Sequence, residues 1–383
     1  MLPFPIILEY GNTVQAPPTI EALYEVNPGT YLLYSTGELF YRGRNTGGKS
    51  GIGTGIKNDQ WYASNTNVQM INFGDGPGFL MKTDGSYWIT ASSNVLGISG
   101  YVSSTWSDCT SKVTAFAAPG EIKAISGTSG GIVILKTDGT IWVAGSNTNG
   151  QLGLGATSST QTFTQVASDA ISIYCSTQNI FYINSSNQLF GTGYNNLGQL
   201  GDGTVNSSTT FKQLTSGSLS TYPYVHSVSG ISSNTILMCS ATSTSEKVLL
   251  ACGSGSNIGL TTGTSQQNSF VLVPSMSSST ARVIKLSPSM GSASNMFVLT
   301  TDGLYFIGNS QYNQSGIGST GQTLYTKVTT LPDSIDNVQN ISYFGSSSEG
   351  SAIHYNNKVY STGAAGAWGS GSSTWVLRTD TPY

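Results

Sequence analysis

Charge is what this chain has least of. Only 9% of its 383 residues are Asp, Glu, Lys or Arg, against about a quarter in an ordinary soluble domain. Fifteen basic and 18 acidic residues leave a net charge of −3. That is too little positive charge to neutralise a run of phosphates, so nucleic acid is excluded as a partner. Arg42, Arg44, Lys49 and Lys57 are the one local basic cluster, and they read as a solvated loop. Histidine is almost missing. His226 and His354 both lie in strand-like runs, "YVHSVSG" and "AIHYNN", and read as structural. Nucleophilic catalysis needs a base beside the nucleophile, so this scarcity argues against it. The four cysteines, Cys109, Cys175, Cys239 and Cys252, show no C-x-x-C spacing, which excludes a zinc site. Cys239 and Cys252 sit on two halves of a candidate hairpin and are expected to be free buried thiols, a disulfide between them being the alternative. No Asp-x-Asp-x-Asp calcium loop exists and no pair of acids stands out. No cofactor or metal is expected. No apolar run approaches the ~18 residues of a membrane helix. The opening "MLPFPIILEYGN" lacks a basic region and a small-residue cleavage site, and reads as a strand, "FPIILEY", rather than a signal peptide.

What remains is glycine and short apolar runs. There are 47 glycines, 20 tyrosines and 13 phenylalanines, and 38% of the chain is hydrophobic. Brief apolar stretches punctuated by Gly, Ser, Thr, Asn and Asp predict an all-β protein of many short strands. The punctuation repeats. "VILKTDGTIWVAGSNTNGQLGLG" (133–155) has relatives at 79–100, 181–203 and 297–318, and fainter ones at 31–53, 236–259 and 352–371. Each copy ends its second strand on a small residue: Gly43, Ala91, Gly145, Gly193, Gly253, Gly308 and Gly363. An upstream strand precedes each copy, as in "EIKAISG" and "AISIYCS". A further edge strand, such as "TFTQV" (162–166), follows the link. About four strands per unit is the content of a propeller blade, and seven units fill residues 1–383 as one domain.

Asp84-Gly85, Asp138-Gly139 and Asp302-Gly303 read as two-residue primed hairpin turns. Phe40, Trp88, Trp142, Phe190, Leu250, Phe306 and Tyr360 fill one repeated slot and are expected in the cores between blades. "GRNTGGKS" (43–50) satisfies the bare phosphate-loop pattern. No helical period follows it, and the same link recurs without the lysine, so it reads as a blade link.

The stretches "GTIWVAGSNTNGQLGLG" and "QLFGTGYNNLGQLGDG" resemble the repeat of the RCC1 family, approximately Asp-Gly-x-aromatic-x-x-Gly-x-Asn-x-x-Gly-Gln-Leu-Gly-x-Gly. The resemblance runs through all seven copies. It implies a seven-bladed β-propeller closed by strands from the two chain ends, here "FPIILEY" and "TWVLRTD" (374–380). The family's exchange activity toward the GTPase Ran needs a basic tail and a protruding wedge, and no such tail is present. Its secreted inhibitors of β-lactamases need a signal peptide.

Function is then sought in the loops that do not repeat. Trp61 and Tyr62 lie in "GIKNDQWYASN" (55–65), and Tyr101 and Trp106 in "GYVSSTWSDCTSK" (100–112). Aromatics in polar loops suit sugar stacking or protein hot spots, or else staple their own loops. A low-charge Ser/Thr/Asn/Gly composition without an export signal leads to a non-enzymatic binding propeller on a bacteriophage virion. Its expected partners are a host cell-surface receptor (glycan or protein) and other virion proteins, and its location is the virion or the medium after lysis. The alternatives are an intracellular RCC1-like protein-binding adaptor and a glycan-active enzyme.

Overall fold

A computed structural model describes residues 18–26, 29–43, 50–53, 60–72, 78–91, 103–118, 120–231, 233–254, 266–273, 282–287, 295–308, 310, 315–319, 322–333, 337, 341, 343–346, 350–363, 374–379 and 381–382. Among them stand seven antiparallel sheets of four strands, each sheet built from four consecutive strands. Blades one to seven span 20–65, 68–108, 122–167, 170–213, 224–272, 283–327 and 343–377. Blade three is representative: Ile122–Thr128, Gly131–Lys136, Ile141–Gly145 and Thr160–Ala167.

The first strand of each blade is innermost. First strands of blades two and three, three and four, five and six, and seven and one lie against one another around the axis. The fourth strand is outermost. Seven apolar cores fill the seven gaps between blades. The ring closes where Ile20, Leu23, Leu32 and Tyr34 of blade one pack on Ala352 and Val359 of blade seven. Asn357 Oδ1 accepts the Ile20 N–H there at 2.6 Å. The expected end strand "FPIILEY" lies outside the described residues. "TWVLRTD" supplies Val376–Leu377, the outer strand of blade seven.

The repeated slot is inter-blade core, with one correction. Phe40, Trp88, Trp142, Phe190, Leu250 and Tyr360 each enter a different core, always on the side of the preceding blade. In blade six the slot belongs to Tyr305, not Phe306. One residue along a strand reverses the side chain, so Phe306 faces blade seven instead. Phe306 is fully buried, whereas Tyr305 is half-buried with its hydroxyl donated to Asp302 Oδ2 at 3.0 Å. Phe306→Ala should therefore cost ~3–5 kcal/mol and Tyr305→Ala clearly less, as read by urea unfolding. Equal losses would contradict the assigned register.

The hairpin turns also differ from expectation. Gly85 and Gly139 donate back to Lys82 O and Lys136 O, and have φ of 80° and 84°. The next pair is Lys82 with Ser86 and Lys136 with Thr140. These are three-residue loops, in which one left-handed glycine follows the turn. Asp84 and Asp138 do not need positive φ. Their Oδ1 atoms accept the N–H of Ser86 and Thr140 at 2.9 Å. Gly303 pairs directly with Thr300 and is not left-handed, so the turn in blade six is different again. The primed two-residue turn occurs at Asn356-Asn357, with φ of 48° and 57°, between the paired Tyr355 and Lys358.

Candidate binding surfaces

Trp61 and Trp106 are two members of a seven-part set. Each outer strand carries one aromatic at an equivalent register position: Trp61, Trp106, Phe163, Phe211, Phe270, Tyr325 and Trp375. Each enters a different inter-blade core, again toward the preceding blade. Four of them close over a glycine of the preceding link: Trp106 over Gly51, Phe211 over Gly153, Phe270 over Gly201 and Trp375 over Gly316. Trp106 Nε1 donates to Ser64 Oγ at 2.9 Å, and Ser64 Oγ donates to Ser50 O at 2.8 Å, which ties blade two to blade one. Trp61 packs between blades seven and one, with the Arg42 guanidinium 5.9 Å from its ring. Both tryptophans are half-buried and pack between blades, Trp106 between one and two and Trp61 between seven and one. They lie in different cores and form no common patch. Tyr62 is half-buried and donates to Gln60 Oε1 at 3.2 Å. Tyr101 lies outside the described residues. Five of the set keep nearly the same spacing from their blade-ending glycine, and the shorter links before Trp106 and Trp375 break it.

Arg42 departs from the solvated-loop expectation, since it is 2% exposed in the third strand of blade one. The strand alternation that aims it inward also stacks it on Trp61. Arg44, Lys49 and Lys57 lie outside the described residues. Cys109, Cys175, Cys239 and Cys252 are all free. Register places Cys239 opposite Val248 and Cys252 opposite Thr235, so those two thiols do not face each other. Burial pushes the Cys175 thiol up to about 12 and raises the other three.

The ring has two unlike faces. One holds the turns between second and third strands and the connections from an outer strand to the next blade. The other holds the turns between first and second strands and the glycine-rich links. Among the charged side chains described, nearly all lie on the hairpin face, including Glu21, Lys123, Asp138, Glu246, Arg282, Asp302 and Lys358. Arg42, Asp202 and Lys212 are the exceptions. Arg42 is buried, and Asp202 and Lys212 are spent on each other in a salt bridge.

A repeated bulge marks the hairpin-face mouth of the central opening. Six first strands skip one residue in pairing with the second strand: Glu21, Gln69, Lys123, Ile171, His226 and Ile284. A bulge bends its strand and re-aims the extra side chain. Lys123 Nζ donates to Ile171 O at 2.8 Å, joining two successive bulges. His226 Nε2 lies 2.6 Å from Ser240 Oγ, which itself donates to Thr242 O at 2.6 Å. The serine proton is thus committed to a carbonyl, and His226 must donate at Nε2. It is no base for Ser240. Burial, then the Lys247 charge, lowers its pKa.

Asp84, Glu121, Asp138, Asp202 and Asp302 are all held below the ordinary carboxylate range. For Asp84 and Asp138 the main cause is the side-chain hydrogen bond from Ser86 and Thr140. A glycosidase acid needs the opposite shift. No group of three His, Cys, Asp or Glu is placed to hold a metal among the described residues. No described helix is long and apolar enough to cross a membrane.

At the rim between blades two and three, residues 109–121 form the one connection carrying an α-helix among the described residues, Thr110–Val113. The connection after blade three needs only Ser168 and Asp169. Phe116 stacks on Trp142 with centroids 4.7 Å apart, and meets Phe163 at 4.7 Å and 41°. Beside them opens a groove of about 490 Å³ lined by Ser111, Lys112, Ala115, Phe116, Trp142, Gln161, Thr162 and Phe163.

Solved structures share this architecture. Human WBSCR16 aligns with a TM-score of 0.68 over 84% of each chain at 15% identity. Yeast RCC1 (Prp20) bound to Kap60 aligns at 0.70, with 14% identity, over 90% of this chain and 84% of that one. Prp20p of Saccharomyces cerevisiae, studied with its binding to Gsp1p and histones, aligns at 0.70, with 14% identity, over 90% and 86%. The chain is a seven-bladed β-propeller. No family model and no curated protein matches it. At such low identity the likeness is one of fold.

Proposed function

We propose that this propeller is a protein-binding adaptor that performs no chemistry of its own and docks its partner on the hairpin face. One observation carries the reading: among the described residues, the exposed charge is collected on that face around the bulged mouth. Mixed charges gathered on one surface set orientation and suppress wrong partners in protein association. The carboxylates there are held ionised, which suits ion pairing and not acid catalysis. Propellers of the same fold bind proteins, as the yeast structure with Kap60 is described. The virion reading draws on composition alone and gains nothing from the geometry, so the adaptor reading is preferred.

Lys123, Arg282 and Lys358 are exposed on the hairpin face. Reversing all three to Glu should cut retention of the native partner at least tenfold with the fold retained by circular dichroism, and retention by the unaltered protein should weaken with added salt. Undiminished retention by the triple variant would sink this reading.

A further inference from the structure

In the aromatic groove between blades two and three, Trp142 and Phe163 belong to the two repeated aromatic sets, and Phe116 is the ring that the connection adds. The groove's wall is made by residues 109–121, which are far more than the connection requires, and such surplus loops on a rigid scaffold are where binding residues concentrate. Phe116 and Trp142 stack on each other at 24°, and Phe163 leans on the pair at 41°. The rings therefore form a cleft rather than the open flat platform on which a sugar ring lies. At about 490 Å³ the groove falls within the ~300–1,000 Å³ of ligand pockets and has room for a large side chain with its flanking backbone.

The groove is apolar at its base and carries a single charge at its lip. Lys112 is exposed and makes no ion pair among the described residues. Lys136, the next lysine inward, is already taken by Glu121 at 3.1 Å and by Phe116 O at 3.2 Å. Gln161 and Thr162 are exposed on the opposite wall. A hydrophobic base with one unspent cation is complementary to an apolar anchor next to a carboxylate.

We propose that this groove is a docking site for an extended segment of a protein partner, with a Leu, Phe or Trp side chain lodged against Phe116, Trp142 and Phe163. An Asp or Glu within about two positions of that anchor pairs with Lys112. This deepens the adaptor reading and rests on it. The buried anchor supplies most of the affinity and the charge pair sets the register.

The test is a display library of random 12-residue peptides panned on the intact chain, followed by fluorescence polarisation with one labelled selected peptide. The selected sequences should share a large apolar residue with a neighbouring acid. Lys112→Glu should weaken the labelled peptide at least tenfold, and changing the peptide's own acid to Lys should restore binding to that variant. Thr162→Arg, an exposed substitution that fills the groove, should abolish binding with the fold intact. Selected peptides lacking an acid, equal binding to Lys112→Glu, no selection above a blank surface, or competition by laminarin or chitohexaose would each overturn the proposal. The triple reversal of Lys123, Arg282 and Lys358 should leave peptide binding unchanged, so loss of the groove and loss of the hairpin face are read separately.

Discussion

Gly201→Val should lower the melting temperature by about 3–6 °C. Gly201 closes the Gly-Gln-Leu-Gly link of blade four and has a φ of +66°. The left-handed region costs an L-residue ~1–2 kcal/mol, and a β-branched one tolerates it worst. Space is the larger problem. A Cβ there would intrude on the Phe270 ring and stand 2.8 Å from Cys252 Sγ, and both neighbours are fully buried. Neither can retreat, because both belong to the core between blades four and five. Overpacking adds ~1–3 kcal/mol. The sum is ~2–5 kcal/mol, and a cooperative chain of this size loses about a degree for each ~0.8 kcal/mol. Gly53 is the control. It too is left-handed, at +88°, but nothing lies within 4 Å of its would-be Cβ. Gly53→Ala should cost only about 1 kcal/mol, the backbone share. Equal losses at the two sites would mean that close packing of link on aromatic is not what demands glycine.

Asn195→Ala should cost ~3–5 kcal/mol, an effect as large from a residue that touches no partner. Asn195 is fully buried. Its Oδ1 accepts the Leu200 N–H at 2.8 Å. Its Nδ2 lies 3.1 Å from each of Thr204 O, Asn206 O and Asp202 Oδ1. One amide thus holds both arms of the loop that carries the chain from the third strand to the outer strand. Asn147 does the same in blade three, with Leu152 N at 2.8 Å and Ala156 O at 2.7 Å. Alanine leaves a buried N–H and buried carbonyls unmatched, at ~1–3 kcal/mol for each. Asn195→Asp should be at least as damaging, because it keeps the acceptor but turns a carboxylate toward oxygens. Blade six puts Ser310 at this point instead, bonding Gly318 O at 2.7 Å and receiving the Ser315 N–H at 3.1 Å. The loop needs an internal bonding post, and its residue type varies with the link. Differential scanning calorimetry decides both variants.

The ring was legible because its units are spaced almost evenly and end on the same small residue. The slot from Phe40 to Tyr360 was legible for the same reason, in blade six as well. There Tyr305 and Phe306 are adjacent aromatics; the slot lies three residues before the blade-ending small residue in every other blade, and the same spacing from Gly308 gives Tyr305, as the pairing of Phe306 with Thr326 bears out. The companion set from Trp61 to Trp375 was not legible. The shorter links before Trp106 and Trp375 break the near-constant offset that the other five keep from their blade-ending glycine, and two of the set stood out only as aromatics in polar loops. The segregation of charge was invisible for another reason. Asp138 and Glu246 are in hairpins, Lys123 and Arg282 open a blade, and Lys358 opens a third strand. Only the topology reveals that these places share one face. The groove at Phe116 depends on contacts between residues 116, 142 and 163, which no local pattern predicts.

The central claim is that a protein docks on the charge-bearing face. Site-specific photo-crosslinking in the native cell tests it most directly. A benzoylphenylalanine is placed singly at Lys123, Glu246 or Lys358 on the hairpin face, and at Ser129, Thr148 or Asn206 on the link face, all exposed positions. The account predicts that irradiation joins one and the same protein to the first three and none to the second three. Protein adducts from the link-face positions alone, or no protein adduct from any of the six, would contradict it.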